Sequence, residues 1–477
     1  MTGRVVIAAP ASGSGKTVVA TGLMAALRRA GHRVAPVKVG PDYIDPGYHT
    51  LASDRPGRNL DPVLVGEDLV GPLFAHGSAD ADLAVVEGVM GLFDGRTGTD
   101  GFGSTAHVAR LLGAPVVLVV DTRGHSTSIA ALLHGFRTYR PDVRLAGVIL
   151  NQVGSDRHET VLRDACAEVG LDVFGVLRRH AAVDVPSRHL GLVTAAEHGP
   201  AALRAVDAMA GLVAGGVDLE AIVQLARSAS GSLGPRWDPD LVAVPDRPVV
   251  AVAGGSAFSF GYAEHTELLC AAGAEVVVVD PLRDTELPEG TAGIVIPGGF
   301  PEQHAAQLSA NGALRTAVAG AVAAGVPVHA ECAGLLYLAR TLDGVPMCGV
   351  LDVDATMTDR LTLGYRDVVA PADSVLHPAG TRLTGHEFHR TATVPAHGER
   401  PAWKWRDHAG DTRADGFTTT AVHASYVHTH PAASPASIVR FVARCSERSS
   451  NTANATPIVA HSTACVPSEA SRNSQSV

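Results

Sequence analysis

Two stretches of the chain place reactive side chains directly after short apolar runs, and they predict two different chemistries. In the first, residues 9–17 (APASGSGKT) follow a strand-like run at 5–8 and lead into a helix-like segment at 16–30. Glycines in such a loop let backbone N–H groups surround phosphate oxygens, and the start of the helix adds a favourable dipole. A lysine there reaches the outer phosphates, and a threonine hydroxyl binds Mg²⁺. The stretch therefore predicts a nucleotide phosphate site formed by Gly13, Ser14, Gly15, Lys16 and Thr17.

Carboxylates that can complete this phosphate site occur in two later loops. Asp42 and Asp45 lie in the segment KVGPDYIDP, and Glu87 and Asp94 lie in EGVMGLFDG. Glu87 follows the strand-like residues 83–86, and the carboxyl ends of parallel strands are where α/β proteins bind ligands. We expect Glu87 to hold Mg²⁺ directly or through water. Solvated loop acids are the alternative, most of all for Asp94.

The second stretch, residues 326–338 (VPVHAECAGLLYL), predicts a strand, a sharp turn and a helix. Such an elbow exposes one side chain, here Cys332, at the end of a strand and the start of a helix, where a thiolate is favoured. The small Ala333 leaves room for the turn. Its N–H, with one from Gly299 in the loop PGGFPE, can form an oxyanion hole. The pattern predicts a cysteine nucleophile, and an inert buried thiol is the alternative.

A cysteine nucleophile needs a base, and the segment HASYVHTH, after the strand-like residues 418–422, offers three histidines. These are His423, His428 and His430, of which only one need be catalytic. A Cys–His pair far apart in sequence is the expected layout for such an enzyme.

The elements that must carry both sites alternate short apolar strands with helix-length segments. In the first half, the strand-like runs include 5–8, 83–86, 116–120, 147–150 and 173–177, and in the second half 249–254, 275–279, 293–296 and 326–330. Continuous apolar runs fit strands that are covered on both faces, so we predict two α/β domains with mainly parallel sheets. We place the first domain at residues 1–225, a linker rich in small residues and proline at 226–247, the second domain at 248–444 and a disordered tail at 445–477.

Composition excludes several classes of protein. The 477 residues carry a net charge of −10, which argues against a surface that binds nucleic acid. No run of about 18 uncharged apolar residues is present, so we expect no membrane span. The N-terminus lacks the layout of a signal peptide, and the six cysteines are scattered without a CxxC pair, which fits a reducing cytoplasm.

Taken together, these segments resemble the cobyrinic or hydrogenobyrinic acid a,c-diamide synthase family of cobalamin biosynthesis. The matching segments run in order along the chain as far as residue 430 and cover nearly everything but the tail. They are ASGSGKT (11–17), VGPDYIDPGYH (39–49), EGVMGLFDG (87–95), PGGFPE (297–302), AECAGL (330–335), RLTLGYR (360–366), GHEFHR (385–390) and ASYVHTH (424–430). The combination is specific, above all GPDYIDP with GHEFHR.

The resemblance implies an ATP ligase domain similar to dethiobiotin synthetase, followed by a class I glutamine amidotransferase domain of the triad type. The first would use MgATP to phosphorylate a carboxylate of the corrin. The second would use Cys332 to release ammonia from glutamine, once for side chain a and once for side chain c. By family position His428 is the general base, and His430 stands where many such enzymes have the carboxylate of the triad, so the third member is open.

The resemblance also implies roles for the ligase loops. It ties Asp42, Asp45, Glu87 and Asp94 to substrate and metal handling, with Thr17, Asp45 and Glu87 as the Mg²⁺ ligands. Tyr43 and Ile44 stand where the family decides which carboxylate reacts first. The implied partners are the corrinoid, glutamine and ATP, without nucleic acid or membrane, and a homodimer is the default assembly.

Two other hypotheses remain open at the level of sequence. One is the same chemistry on another tetrapyrrole, such as nickel-sirohydrochlorin. The other is a nucleotide-switched regulator with a vestigial glutaminase half. Ala11, where dimeric partitioning ATPases have a lysine, and the intact elbow at Cys332 argue against the regulator. Pro10, in place of the first glycine of the strict phosphate-loop motif, leaves a chance glycine-rich turn as the alternative at that loop.

Overall fold

A parallel sheet covered by helices forms the N-terminal unit of the protein. The computed structural model describes residues 2–179, 187–188, 191–192 and 194–453. The elements of this unit are β1 (Gly3–Ala8), α1 (Lys16–Arg29), β2 (Val34–Val39), α2 (Asp45–Ser53), β3 (Arg58–Leu60), α3 (Pro62–Val65), α4 (Glu67–Gly77), β4 (Leu83–Glu87), α5 (Thr105–Leu111), β5 (Val116–Asp121), α6 (Ile129–Tyr139), β6 (Leu145–Val153), α7 (Asp156–Glu168), β7 (Asp172–Arg178), β8 (Ser187–Arg188), β9 (Gly191–Leu192), α8 (Ala195–His198), α9 (Pro200–Gly216) and α10 (Leu219–Arg227). The strand order is β3-β2-β4-β1-β5-β6-β7, and β8 pairs with β9.

Apolar strands explain why this sheet lies in the interior. β1, β2 and β4 are buried at every position, as expected for parallel strands covered on both faces. All the strand-like runs predicted in the first half of the chain fall within its strands, and the predicted α/β class is confirmed. β1 ends between β4 and β5, so the loop that follows it emerges at the carboxyl edge of the sheet, where α/β proteins bind ligands.

A connector without helix or strand, residues 228–248, joins this unit to the next and overlaps the predicted linker at 226–247. Its first part follows the N-terminal unit, because Ser230 N donates to Gly113 O at 3.0 Å and Trp237 N donates to Pro72 O at 3.0 Å. Farther on, Val244 N donates to an oxygen of the C-terminal unit at 2.9 Å. Backbone hydrogen bonds therefore hold the connector against both units.

A second parallel sheet and a long hairpin form the C-terminal unit. Its elements are β10 (Val249–Ala253), α11 (Ala263–Ala271), β11 (Glu275–Val279), β12 (Thr291–Ile296), α12 (Ala305–Ala310), α13 (Gly312–Ala323), β13 (Val328–Glu331), α14 (Ala333–Leu338), β14 (Thr341–Leu342), β15 (Val345–Pro346), β16 (Asp354–Val369), β17 (Arg382–Val394), β18 (Trp403–Arg406), β19 (Thr412–Asp415), β20 (Phe417–Thr418), β21 (Val422–Ser425), β22 (His428–Thr429) and α15 (Pro435–Ala453). One sheet has the order β11-β10-β12-β13-β21-β20, and only the β20–β21 pair is antiparallel. The hairpin β16–β17 is the centre of another sheet, with the order β15-β14-β16-β17-β22.

One predicted strand, at residues 418–422, is wrong. β20 ends at Thr418 and β21 begins at Val422, with a turn between them. The turn forms because the Thr419 hydroxyl accepts hydrogen bonds from the N–H groups of Ala421 and Val422, at 3.2 and 3.0 Å. A threonine hydroxyl that binds nearby backbone in this way competes with strand pairing.

The end of the chain differs in part from the predicted tail. α15 continues to Ala453, so the first residues of the segment 445–477 lie in a helix. Residues 454–477 lie outside the described part of the chain. Within the described part, no helix is both long enough and apolar enough to cross a membrane.

Buried polar contacts join the two units. The Arg58 guanidinium, at the start of β3, donates to Glu264 Oε1 at 2.7 Å and also contacts Glu267, both on α11. The hairpin β16–β17 reaches the N-terminal unit, where the Tyr365 hydroxyl donates to Asp61 Oδ2 at 2.8 Å. The side chains of Arg58 and Glu264 are only 11% and 2% exposed. Burying a charge is unfavourable unless it is paired, so the Arg58–Glu264 pair favours the one arrangement in which β3 faces α11.

Candidate functional site

The loop after β1 has the backbone of a phosphate-binding turn. Gly13 and Gly15 have φ angles of 81° and 96°, a left-handed conformation that glycine adopts without strain. α1 begins at Lys16, whose ammonium donates to Met90 O, in the loop after β4, at 2.7 Å. The structure thus places the five residues predicted to bind phosphate at the carboxyl edge of the sheet.

A buried lysine joins the carboxylates beside this loop. The ammonium of Lys38 lies 2.5 Å from Asp45 Oδ2 and 3.0 Å from Glu87 Oε1. The Thr17 hydroxyl lies 2.7 Å from Glu87 Oε1 and 3.3 Å from Asp45 Oδ2. On the other side, His49 Nε2 lies 2.7 Å from Glu87 Oε2. Lys38 and His49 were not among the predicted site residues, although Lys38 directly precedes the segment VGPDYIDPGYH and His49 ends it.

Burial and mutual attraction set the charges in this cluster. Burial, together with repulsion from Asp42 and Glu87, raises the pKa of Asp45 to about 7 despite the attraction of Lys38. Burial alone would also raise the pKa of Glu87, but Lys38 and His49 hold it well below its usual range. Burial opposes the charge of Lys38, and the two carboxylates outweigh it and raise its pKa. Glu87 is therefore fully ionised at neutral pH, whereas Asp45, with a pKa of about 7, titrates close to neutral pH.

Oxygen atoms suited to Mg²⁺ converge at the start of α1. The carboxylates of Asp45 and Glu87 both lie within 3.3 Å of the Thr17 hydroxyl. Hard oxygen ligands of this type, next to a loop that binds phosphate, are what Mg²⁺ requires when it is bound together with a nucleotide. The donor set therefore fits the metal expected from the sequence.

The other residues predicted for this site shape its loops. Asp42 Oδ1 accepts hydrogen bonds from Ile44 N at 2.8 Å and from Asp45 N at 3.0 Å, which fixes the turn into α2. Asp94 Oδ2 accepts a hydrogen bond from Gly91 N at 2.9 Å within the loop after β4. The ring of Tyr43, in contrast, packs against aromatic residues of the C-terminal unit.

Cys332 occupies a strained turn between β13 and α14. Its φ and ψ angles are 48° and −101°, which residues other than glycine rarely adopt. Any side chain at Gly334 would collide with Ile296 O, so the turn passes close to β12. The elbow expected around this cysteine is present, and strain of this kind is typical of nucleophile elbows.

His428 interacts electrostatically with Cys332 on one side and faces a glutamate on the other. His428 Nδ1 lies 3.3 Å from Glu331 Oε2. Burial would lower the pKa of His428, but Cys332 and Glu331 outweigh it and raise the pKa to about 10. Glu331 also lies 3.2 Å from His329 Nε2 and accepts a hydrogen bond from Thr429 N at 3.2 Å. Cys332, His428 and Glu331 thus have the arrangement of a nucleophile, a base and an orienting carboxylate.

The two other candidate histidines make structural contacts. His423 lies within β21, with Nδ1 3.2 Å from Ser374 Oγ. His430 Nδ1 accepts a hydrogen bond from Ala432 N at 3.2 Å and so caps a short 3-10 turn. His430 stands two residues after His428, where many related enzymes have the triad carboxylate, but the carboxylate that contacts His428 is that of Glu331.

Strand pairing explains why Glu331 was missed. β13 and β21 are parallel neighbours, with Glu331 opposite Ser425, and β22 opens at His428 three residues farther on. A carboxylate at the end of β13 therefore reaches the histidine that follows β21. The signal in the sequence was a glutamate directly before the nucleophile, but its significance depends on which strands pair.

A small pocket with a free volume of about 20 Å³ opens at Cys332. Gly299, from the predicted oxyanion loop, lines it, and Ala333 follows Cys332 directly in the chain. A side chain at Gly299 would collide with Ala257 O, so only glycine fits there. Glu302 and Arg390 give the same pocket one negative and one positive side chain.

Two protein-family models match the chain, one for each unit. Residues 5–193 match the CobQ/CobB/MinD/ParA nucleotide binding domain. Residues 249–436 match the CobB/CobQ-like glutamine amidotransferase domain. The first range contains the phosphate loop and the buried lysine cluster, and the second contains the Cys332 elbow.

Curated relatives match most of the chain. A protein of Streptomyces coelicolor named hydrogenobyrinate a,c-diamide synthase is 58% identical, over 93% of this chain and 97% of its own length. A protein of Mycobacterium tuberculosis with the same name is 59% identical, over 92% of this chain and 97% of its own length. A relative from Dehalococcoides mccartyi named cobyrinate a,c-diamide synthase is 41% identical, over 91% of this chain and 96% of its own length.

Proposed function

The chain belongs to the a,c-diamide synthase family, and we propose that it carries out the family reaction on the cobalt-free ring of hydrogenobyrinate. It is a ligase that depends on ATP and glutamine and amidates the a and c carboxylates of a corrinoid. Sequence identity supports hydrogenobyrinate, since the relatives with that name are 53–59% identical to this chain. The relatives named for cobyrinate are 39–42% identical.

In the ligase site, the carboxylate is activated before the amide forms. A carboxylate is a poor electrophile, and transfer of the γ-phosphoryl group of ATP to one of its oxygens gives an acyl phosphate with a good leaving group. Lys16 and the N–H groups of its loop bind the phosphate oxygens. Thr17, Asp45 and Glu87 would hold Mg²⁺, which neutralises phosphate charge when bound. Lys38 offsets the charge of the two carboxylates, so that an anionic substrate can approach.

In the glutaminase site, Cys332 Sγ attacks the carboxamide carbon of glutamine. His428 takes the thiol proton and gives it to the departing ammonia, and water then hydrolyses the thioester to glutamate with His428 as base. Glu331 orients the imidazole and stabilises its charged form. The N–H groups of Gly299 and Ala333 stabilise the oxyanion. The charged side chains of the pocket suit the zwitterionic end of glutamine.

Ammonia then passes from the glutaminase site to the acyl phosphate and displaces phosphate. A small cavity of about 10 Å³ at the boundary between the units, roughly the space that one molecule of the size of water or ammonia needs, supports internal passage. Glu331 and Thr429 line it from the C-terminal unit, and Tyr43 lines it from the ligase loop. Passage through the interior keeps ammonia unprotonated and apart from solvent.

Release of ADP and glutamate by the purified protein tests this function. The assay contains MgATP and glutamine with hydrogenobyrinic acid, with cobyrinic acid or with no corrin. We expect ADP release that depends on the corrin, two glutamines consumed per ring above a slower basal hydrolysis of glutamine that needs no corrin, and kcat/KM at least about tenfold higher for the cobalt-free ring. Equal kcat/KM for both rings would contradict the choice of hydrogenobyrinate, and ATP turnover indifferent to any corrin would contradict the function.

Replacing Glu331 by glutamine is expected to lower kcat for glutamine hydrolysis by about a hundredfold or more. The amide keeps the shape of the side chain but does not stabilise the imidazolium of His428. Because Glu331 helps to raise the pKa of His428, the imidazolium is present below that pKa and is lost as the pH rises through it. The alkaline limb of the glutaminase pH profile should therefore move to lower pH in E331Q.

The control for this variant is Thr429→Val, which removes only a hydroxyl 3.3 Å from Glu331 Oε1 and should change kcat little. Wild-type kcat and an unshifted profile in E331Q would exclude Glu331 from the triad.

A further inference from the structure

A ring from the ligase half of the chain reaches the glutaminase base. Tyr43 lies between β2 and α2, and its ring packs against three rings of the C-terminal unit. Its centroid lies 5.3 Å from that of Phe260, nearly parallel at 12°, 5.0 Å from that of Tyr262 and 5.0 Å from that of His428. Tyr43 is only 8% exposed. A residue of the ligase loop therefore contacts the imidazole that activates Cys332.

The loop that carries Tyr43 is fixed by the N-terminal unit. The Asp42 carboxylate binds two backbone N–H groups, those of Ile44 and Asp45. The amide of Asn59, on the neighbouring strand, donates to Gly40 O and Asp42 O, both at 2.7 Å. With hydrogen bonds on both sides of Tyr43, the position of its ring is set by the ligase half.

Apart from Tyr43, the His428 ring is contacted by Glu331 and by the backbone at Gly298, and its orientation depends on what packs against it. Its distance of 3.3 Å to Glu331 Oε2 is at the long end for a hydrogen bond, so Glu331 fixes the ring together with the groups that pack against it. A side chain at Gly298 would collide with the imidazole, which shows that the backbone of the oxyanion loop lies against it. Tyr43 adds a flat, uncharged surface to the same ring, and aromatic contacts of this kind restrict rotation.

We infer that Tyr43 is a positioning residue for glutamine hydrolysis, since the ligase loop supplies the ring that holds His428 against Cys332. The inference rests on the proposed function, in which Cys332 and His428 hydrolyse glutamine. The residues that line the pocket at Cys332 belong to the C-terminal unit, whereas Tyr43 lines the cavity at the boundary. Tyr43 should therefore affect turnover and not the binding of glutamine.

Formation of glutamate from glutamine alone, without corrin, measures this effect. We expect Tyr43→Ala to lower kcat by about ten- to a hundredfold with KM for glutamine within about twofold, because misplacing a catalytic group by about 1 Å costs about a hundredfold in rate. Tyr43→Phe keeps the ring and should retain kcat within about twofold. Tyr43→Leu fills most of the space without a flat ring, so it should lose kcat as the alanine variant does while still unfolding at a temperature close to that of the wild type.

A double-mutant cycle with Asp42→Ala tests whether the loop acts through this ring. Asp42→Ala loosens the turn without altering a glutaminase residue, and we expect it to lower glutaminase kcat. The double variant should match Tyr43→Ala, because the loop then has no ring to position. Additive losses, or wild-type kcat in Tyr43→Ala, would overturn the inference. Absence of glutamine hydrolysis in the wild-type protein would instead overturn the proposed function, so the two failures are distinct.

Discussion

Cys332→Ser is expected to lower amidation from glutamine by at least about a thousandfold while amidation from ammonium salts continues. A serine hydroxyl in the same turn is a far weaker nucleophile than a thiolate, and His428 does not remove this difference. Ammonia supplied in solution should reach the proposed acyl phosphate without the aid of Cys332. Mass analysis of the corrin after reaction with MgATP and either nitrogen source measures both activities.

The matched control is Cys270→Ser, which changes an exposed cysteine on α11 and should leave both activities as in the wild type. Full amidation from glutamine in the Cys332→Ser variant would place the nucleophile elsewhere. Loss of activity with both nitrogen sources would show that Cys332 is needed in the ligase half, against the division of labour proposed for the two units.

Lys16→Ala should produce the opposite pattern. We expect it to lower amidation by about a hundred- to a thousandfold with glutamine and with ammonium alike, because it removes the cation proposed to stabilise the phosphoryl group during transfer. Hydrolysis of glutamine in the absence of corrin should stay within about threefold of the wild type, since Lys16 lies in the other unit. ADP release and glutamate formation, measured in the same samples, separate the two effects.

Arg28→Ala is the control for Lys16→Ala, since it removes an exposed cation from the last turn of the same helix. It should leave both activities unchanged. If Lys16→Ala kept its amidation activity, the loop after β1 would not be the phosphate site. If it lost glutamine hydrolysis as strongly as amidation, a defect in folding or in the contact between the units would explain the variant better than loss of phosphate binding.

The features that could be predicted from the sequence are those whose determinants lie close together in the chain. The phosphate loop needs glycines, a lysine and a threonine within a few residues, and the elbow at Cys332 needs a strand, small residues and a helix in the same way. Buried parallel strands are likewise visible in the sequence as continuous apolar runs, and for this reason the predicted positions of β1 and β4 are correct.

Contacts between distant segments could not be predicted in this way. The approach of Glu331 to His428 depends on the pairing of β13 with β21, and the contact of Tyr43 with His428 depends on how the two units meet. Nothing in the sequence of the hairpin β16–β17 indicates that it contacts the N-terminal unit, where the Tyr365 hydroxyl donates to Asp61. Each of these contacts is a property of tertiary structure, and a single sequence does not encode it in any one segment.

The ion pairs of Arg58 with α11 bear on how such a chain can be recombined. Glu264 is almost fully buried, and removing its counter-charge from a buried pair costs about 3–5 kcal/mol. A hybrid that joined the N-terminal half of one relative to the C-terminal half of another would therefore need both the arginine and the α11 carboxylates. It would also need Tyr43 together with the aromatic rings against which Tyr43 packs. Hybrids with a crossover in the connector at 228–248 should fold stably only when both parents share these contacting residues. The two units can therefore be exchanged between relatives only together.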